Sequence, residues 1–347
     1  MKTPLEVLED LVRIESPSGR EERAADYLRA LVPGAIVSGR NVWAVRGEGS
    51  PTLLLNSHTD TVPATPAWTK PPFDALNEDG KLYGLGVSDA KACVVGQLFA
   101  FLNARVPKGT LVWSATCDEE TGGQGLEVLA RDLPRPDASV IGEPTDMQPC
   151  IGQRGLLKLE VVAKGRAGHA SRPHQGDNAI YRAARAALAI EALNEKIDPD
   201  DSLLGKATLC ATLIAGGTRS NVIPPECRFT VDGRSTPNVD NEALIRMVRQ
   251  VLSRDPQVEV TAKSGRFHPV LTPESARIVQ VALAASAGSR ARAFGGVSDL
   301  FHVRDCPGII IGPGVPDQSH QADEHIAIEK FERGVEVYRW LVEGYFS

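Results

Sequence analysis

Seven residues of the chain have the types and settings needed to hold metal ions and move protons: His58, Asp60, Asp89, Glu119, Glu120, Glu143 and His320. His58 and Asp60 close the run Leu53-Leu54-Leu55-Asn56-Ser57-His58-Thr59-Asp60-Thr61-Val62-Pro63. Side chains of an extended strand alternate faces, so the two share a side at a strand's carboxyl end, where open α/β sheets bind ligands. On that ground both could ligate one ion. Glu119 and Glu120 follow the apolar run that ends at Thr116, and Glu143 follows Ser139-Val140-Ile141-Gly142. Two imidazoles and several carboxylates without a thiolate suit zinc or a similar divalent ion, and one shared carboxylate can hold two ions together. The side chains of adjacent Glu119 and Glu120 diverge, so one can ligate while the other acts as general base toward a metal-activated water. Each residue alone has an ordinary reading as a surface histidine, a solvated acidic turn or a strand-ending glutamate. Their recurrence at successive strand ends is what points to a site.

The elements that position them can be read in order. Thr3-Pro4-Leu5-Glu6 has the cap, proline and capping-box glutamate of a helix start. Ser18-Gly19-Arg20-Glu21 repeats the box and predicts a second helix that ends at Pro33-Gly34. Strands are expected over 42–45, 52–55, 111–116 and 139–143, with a helix over 91–102, an alternation that implies a mostly parallel sheet. The texture changes at Arg154-Gly155. Strands over 156–162, 207–214, 228–232 and 258–262 alternate more, with helices over 178–193 and 241–252 between them. A four-stranded antiparallel sheet covered by two helices fits that pattern. Thr272-Pro273-Glu274 then predicts a helix start, 308–311 a buried strand and 328–341 a closing helix. The expected fold is α/β, a discontinuous α/β/α domain of residues 1–154 and 268–347 interrupted by an inserted α+β domain of residues 155–267.

Composition narrows the partners. A chain of 347 residues has room for two cores, and a net charge of −6 gives no basic surface for nucleic acid or anionic lipid. No run of 18 apolar residues occurs, so the expectation is a cytoplasmic protein with no membrane partner. Cys93, Cys117, Cys150, Cys210, Cys227 and Cys306 contain no Cys-x-x-Cys pair and read as reduced, mostly buried small side chains, with Cys117 notable beside an acidic cluster.

The motifs together resemble the family of dinuclear zinc hydrolases that includes acetylornithine deacetylase, succinyl-diaminopimelate desuccinylase, glutamate carboxypeptidase and the aminoacylases. The resemblance runs through nearly the whole chain. It rests on Ser57-His58-Thr59-Asp60-Thr61-Val62-Pro63, Gly86-Val87-Ser88-Asp89-Ala90-Lys91, Asp118-Glu119-Glu120, Gly142-Glu143-Pro144-Thr145, Gly168-His169-Ala170-Ser171 and Ser319-His320-Gln321-Ala322-Asp323-Glu324. It implies two zinc ions per subunit, with cobalt able to substitute: His58, Asp89 and Glu143 on one, Asp89, Glu120 and His320 on the other, and Asp89 bridging. It further implies Glu119 as general base and then proton donor, and Asp60 as the residue that orients His58.

The same resemblance implies that the inserted domain is a dimerisation and lid domain, whose His169 reaches across a homodimer interface to the oxyanion. Arg154, Asn221, Arg234 and Ser298 are implied in substrate binding, with ordinary salt bridging an almost equal reading for Arg234. The implied reaction is hydrolysis of the amide of an N-acyl amino acid in amino-acid biosynthesis. The expected form is an acetylornithine deacetylase-like enzyme, or one that releases lysine or ornithine from an acidic amino-group carrier protein. A dipeptidase or carboxypeptidase and a succinyl-diaminopimelate desuccinylase are the alternatives, and a metal-binding protein without catalysis is the remaining one. Two motifs depart from the family: Asp89-Ala90-Lys91-Ala92 replaces Asp-Met-Lys-Gly, and Gly296-Val297-Ser298-Asp299 replaces Gly-Thr-Ser-Asp. Neither removes a ligand, and both bear on the substrate.

Overall fold

The computed structural model describes residues 2–198 and 201–347. Its first helix, Pro4–Arg13, begins as its sequence dictates. Thr3 Oγ1 accepts the Glu6 N–H at 3.2 Å, the Glu6 carboxylate accepts the Thr3 N–H at 2.7 Å, and Val7, Leu8, Leu11 and Val12 are buried.

The second predicted box behaves differently. Helix Glu22–Leu31 has no side-chain cap. Ser18 Oγ donates instead to Asp60 Oδ2 at 2.7 Å, and the Glu21 carboxylate accepts the N–H groups of Gly19 and Asp118 at 2.9 and 3.1 Å. The polar side chains that suit a helix start are recruited by a distant loop, a competition that local spacing cannot show. Thr272 is a similar correction. Its Oγ1 donates to Gly308 O at 2.6 Å and accepts the Gly308 N–H at 3.1 Å, and the helix starts later as Arg277–Ala285.

The chain forms two compact units. One comprises Met1–Gly152, Thr272–Phe294 and Ser298–Ser347, and the other Gln153–Leu271 with Gly295–Val297. A nine-stranded sheet includes, in spatial order, Ile36–Ser38, Asn41–Glu48, Gly109–Thr116, Thr52–His58, Ala138–Gly142, Gly308–Ile310 and Cys150–Gln153. The four strands from Gly109–Thr116 to Gly308–Ile310 are mutually parallel. Thr52–His58, Gly109–Thr116 and Ala138–Gly142 are buried along their whole length, which explains their continuous apolar runs. Helix Ala92–Asn103 is likewise buried on nearly every side and packs against the closing helix Ile328–Phe346.

In the second unit the antiparallel order is Thr208–Gly216, Glu226–Ser235, Gly155–Lys164, Val258–Phe267. Leu157, Leu159, Val161 and Ala163 alternate inward from Gly155–Lys164 and pack with Phe229 and Val231 under Ala179, Ala183 and Ile190 of helix Ala179–Asn194 and Leu244 and Val248 of helix Asn241–Leu252. That is the expected four-stranded α+β arrangement. Among the described residues no helix is long and apolar enough to cross a membrane.

Candidate metal centre

His58 is the last residue of a central strand whose two neighbours run parallel to it, so the loops after all three strands emerge at one sheet end. Its Nδ1 lies 3.0 Å from the Asp60 backbone oxygen, and its Nε2 lies 3.3 Å from Asp89 Oδ1 and 4.0 Å from Glu143 Oε1. A carbonyl oxygen can only accept. The proton of the neutral ring therefore sits on Nδ1, and the Nε2 lone pair is left for a cation.

Asp89 lies in a kinked turn, Val87–Lys91, ahead of the buried helix. Gly86 enters that turn at φ +78°, and a Cβ there would lie 2.5 Å from Thr61 Cγ2, so both conformation and space demand glycine. The buried Glu324 carboxylate clamps the turn: it accepts the N–H groups of Gly86 and Ser88 at 2.7 Å and of Asp89 at 3.0 Å. Asp89 presents one oxygen to each histidine, Oδ1 toward His58 and Oδ2 at 3.8 Å from His320 Nε2.

Glu119 and Glu120 leave the Gly109–Thr116 strand through a turn held by Asp60. Oδ1 of Asp60 accepts the Glu119 N–H and Oδ2 the Glu120 N–H, each at 3.1 Å, while His58 Nδ1 is 3.5 Å from Oδ1. The two glutamates then part company. Both carboxylate oxygens of Glu120 lie 2.9 Å from His320 Nε2, whereas Glu119 groups with His58 and Glu143, their donor atoms all within 4.8 Å. A second set of donors at that spacing is His58, Asp89 and Glu120.

The electrostatics fit a cation site. Desolvation first, then the charges of Asp299, Glu120 and Asp89, drive the Glu119 carboxyl well above the usual carboxylate range, with His58 pulling the other way. Glu143 is pushed well above its ordinary value by burial and by Glu119, and its buried Oε1 has no hydrogen-bond partner. Burial alone would lower the His58 imidazole, but Asp60, Asp89, Glu143 and Glu119 raise it well above its ordinary value. Carboxylates crowded in a desolvated pocket with an orphaned oxygen have the chemistry of a divalent-ion site.

In the second unit, His169 pairs with Val222 in a two-residue ladder and is exposed. Its Nδ1 accepts the Ser171 N–H at 3.2 Å, which leaves the proton of the neutral ring on Nε2, able to donate outward. Asn221 is close by, its carbonyl taking the Ala170 N–H at 3.0 Å. Arg234 faces Leu156 at the opposite end of the Gly155–Lys164 ladder, one residue pair from its start, and Arg154 immediately precedes that strand in sequence. The Arg234 Nε donates to Asp232 Oδ1 at 2.8 Å, so its fork is engaged within its own strand. Ser298 is buried and its hydroxyl caps Leu300 N at 3.3 Å.

Three contributors were not singled out by spacing. Glu324 lies inside the His320 motif, Ser18 has the spacing of a helix cap, and Asp299 sits in the Gly296-Val297-Ser298-Asp299 motif. Asp299 Oδ2 accepts from Asn56 Nδ2 at 3.2 Å and Thr116 Oγ1 at 3.3 Å, and burial above all pushes its carboxyl up to about 7. A carboxylate beside other carboxylates in sequence was the available signal for Glu324, whereas nothing local marked Ser18.

A parallel sheet with imidazoles and carboxylates gathered at its strand ends, and a pair of adjacent glutamates split between two donor sets, defines a hydrolase of the metal-dependent kind. The chain belongs to the peptidase family M20/M25/M40, whose model matches residues 54–344. It is 33% identical over 311 residues to the acetylornithine deacetylase of Myxococcus xanthus, covering 84% of this chain and 80% of that one. It is also 33% identical over 324 residues to a succinyl-diaminopimelate desuccinylase of Xanthomonas campestris pv. campestris, covering 87% and 86%. A Pyrobaculum aerophilum protein named for LysW-lysine/LysW-ornithine hydrolysis is 31% identical over 352 residues, covering 97% and 96%. In fold, the chain superposes on an M20 family metallo-carboxypeptidase of Sulfolobus solfataricus at a TM-score of 0.79 and 18% identity, with 99% of each chain covered. A Bacillus subtilis structure described as a dinuclear metal binding peptidase of the M20 family gives a TM-score of 0.72 at 17% identity, covering 98% of this chain and 96% of that one.

Proposed function

We propose that the chain is a cytoplasmic, homodimeric amidohydrolase that uses two zinc ions per subunit, with cobalt as a working substitute, to cleave the amide of an N-acyl amino acid. His58, Asp89 and Glu143 would hold one ion and Asp89, Glu120 and His320 the other. The observation that carries the two-ion reading is Asp89, whose two oxygens face His58 and His320 separately. When bound, such ions acidify a water and polarise a carbonyl. Glu119, grouped with His58 and Glu143 while Glu120 faces His320, takes the water proton and returns it to the leaving amine. Asp60 holds the His58 ring through its backbone carbonyl and the Glu119 N–H through its carboxylate.

In this reading residues 1–154 and 268–347 form the catalytic domain, and residues 155–267 the dimerisation lid. Strand Thr208–Gly216 is an edge of the lid sheet and carries Leu213 and Ile214 at 70% and 59% exposure, with Tyr181 and Leu188 of the neighbouring helix at 65% and 62%. Unpaired edge hydrogen bonds and exposed apolar side chains together favour a second copy as the cover. His169 and Asn221 leave the Gly155–Lys164 ladder at the end opposite Arg154 and Arg234. Ten strand residues span roughly 30 Å, more than a small acyl amino acid, so one lid cannot offer both groups to one substrate. We therefore propose that the partner supplies His169 and Asn221 while Arg154 and Arg234 come from the same chain. Nε2–H of His169 would then stabilise the oxyanion, and Arg154, Arg234 and Ser298 are proposed to contact the substrate.

The relatives' names favour an acetylornithine-type substrate, a succinylated diamino acid or a lysine or ornithine linked to an acidic carrier. The test is turnover by the zinc- and cobalt-loaded protein on N-acetylornithine, N-acetyllysine, succinyl-diaminopimelate, a carrier-linked lysine and a set of dipeptides. Hydrolysis of an acyl amino acid over every dipeptide is expected. Preference for dipeptides would overturn the acyl assignment, and metal binding without any turnover would overturn the enzymatic one.

A further inference from the structure

Four consecutive backbone N–H groups, those of Cys117, Asp118, Glu119 and Glu120, are each caught by a side chain. Asn41 Oδ1 takes Cys117 at 3.0 Å, Glu21 Oε1 takes Asp118 at 3.1 Å, and the two Asp60 oxygens take Glu119 and Glu120 at 3.1 Å. Asp60 belongs to the site already described, whereas Glu21, Arg40 and Asn41 do not. We infer that the buried Glu21, locked by Arg40, is a positioning residue that sets the turn from which Glu119 and Glu120 are presented. This rests on the reading of Glu119 as base and Glu120 as ligand.

The geometry supports a device rather than a chance salt bridge. Asp118 sits in the left-handed region at φ 58°, ψ 20°, a conformation that costs a non-glycine residue energy unless its surroundings enforce it. Glu21 grips its amide from one side, and Arg40 Nη2 binds its carboxylate from the other. Arg40 Nε also lies 2.7 Å from Glu21 Oε2, in contact but without hydrogen-bond alignment. The Glu21 side chain is fully buried, and an unpaired charge there would be costly, so Glu21 and Arg40 hold each other in place. On the far side of the turn, Asn41 Nδ2 donates to Gly125 O at 3.2 Å, and a Cβ on Gly125 would meet Cys117 O at 2.2 Å. The chain after the glutamates is thereby tied back to the same asparagine. A shift of this turn by a fraction of an ångström would misplace the base and a ligand together.

The test compares Glu21→Ala, Glu21→Gln and Arg40→Gln in the full chain, as purified and after chelation. Expected for Glu21→Ala is a fall in kcat of at least about tenfold with KM within about twofold, because positioning acts on the reacting geometry and not on substrate contacts. Glu21→Gln keeps the oxygen that accepts Gly19 and Asp118 and should recover part of the loss. Amide exchange at Asp118 in the chelated protein should quicken by about tenfold in Glu21→Ala, a readout that needs neither metal nor substrate. If Glu21→Ala does not fold, the half-exposed Arg40→Gln carries the test with the same two readouts. Unchanged kcat, or lowered kcat with unchanged Asp118 exchange, overturns the inference. An active Glu119→Gln enzyme would instead sink the reading of the base while leaving the exchange result standing.

Discussion

Asp60 Oδ1 accepts the backbone N–H of Glu119 at 3.1 Å, and the same oxygen lies 3.5 Å from Nδ1 of His58. Asp60 thus ties His58, through its backbone carbonyl at 3.0 Å, to the turn that carries Glu119, through its carboxylate. His58 and Asp60 share a strand end, but only the first presents a nitrogen to the donor cluster. Asp60 is held below the usual carboxylate range, since hydrogen bonds from His58, Ser18 and the Glu119 amide outweigh its burial.

That relationship predicts the effect of Asp60→Asn. An asparagine has one acceptor oxygen where the structure uses two, so its amide nitrogen must face either the Glu119 or the Glu120 N–H. Turnover should fall by about 10- to 100-fold with a comparable loss of metal affinity. Ser18→Ala removes only one of four partners and should cost a few-fold at most, on the order of 1 kcal/mol. Steady-state kinetics and chelator competition read both. Wild-type kcat in Asp60→Asn would falsify the account of Asp60 as the shared anchor.

Metal removal should be visible in stability before any assay of activity. Glu119 and Glu143 meet at His58, and burial together with the neighbouring carboxylates raises both above the usual carboxylate range, so a cation there relieves their repulsion. Added zinc that binds only the native state stabilises it in proportion to the logarithm of its concentration, about 2.7 kcal/mol at 100 times Kd. Calorimetry of the chelated protein with stepwise zinc should therefore show a Tm that climbs with each increment. Glu143→Gln and His58→Ala should flatten that climb, and a Tm indifferent to zinc would remove the metal reading.

The exposed edge strand Thr208–Gly216 tests the proposed dimer. Leu213→Glu combined with Ile214→Glu should convert a dimer to a monomer in sedimentation, with loss of turnover and an intact fold by circular dichroism. His169→Ala and Glu119→Gln should each be inactive alone. Mixed in equal amounts and allowed to exchange, they should return about a quarter of wild-type activity, since half of the dimers are hybrids with one working site. Absence of any recovery would mean that His169 acts within its own chain or not at all.

The elements that carry the site were legible because burial writes itself into the sequence. Leu53-Leu54-Leu55 and Leu111-Val112-Trp113 are continuous apolar runs because parallel neighbours and helices bury both faces, and the alternation of Gly155–Lys164 follows from a sheet covered on one side. His58, Asp89, Glu119, Glu120, Glu143 and His320 could be picked out by their place at strand ends and by motif. Their supports could not. Ser18 and Glu21 spell a capping box, and only the fold discloses that they reach Asp60 and Asp118, 42 and 97 residues away. Arg234 suits a substrate carboxylate by type, and only the fold discloses that its Nε also donates to Asp232 in the same strand. Long-range hydrogen bonds to backbone N–H groups leave no periodicity to read.

Glu324 offers the sharpest case of such a support. Its Oε2 takes the Gly86 N–H and its Oε1 those of Ser88 and Asp89, so both oxygens are committed to the turn that presents Asp89. Losing these three bonds leaves buried N–H donors without acceptors. Glu324→Gln turns an amide nitrogen toward one of those donors and should weaken metal binding by about 10- to 100-fold. Glu324→Ala should do so more severely, with a lower Tm even in the chelated protein. Asp323 is the control next in sequence. It caps Thr69 N and Lys70 N, each at 2.9 Å, away from the Asp89 turn, so Asp323→Asn should leave metal affinity within about twofold of the parent. Competition with a chromogenic chelator separates the two variants. Equal metal affinities for Glu324→Gln and Asp323→Asn would show that the clamp does not set the Asp89 carboxylate.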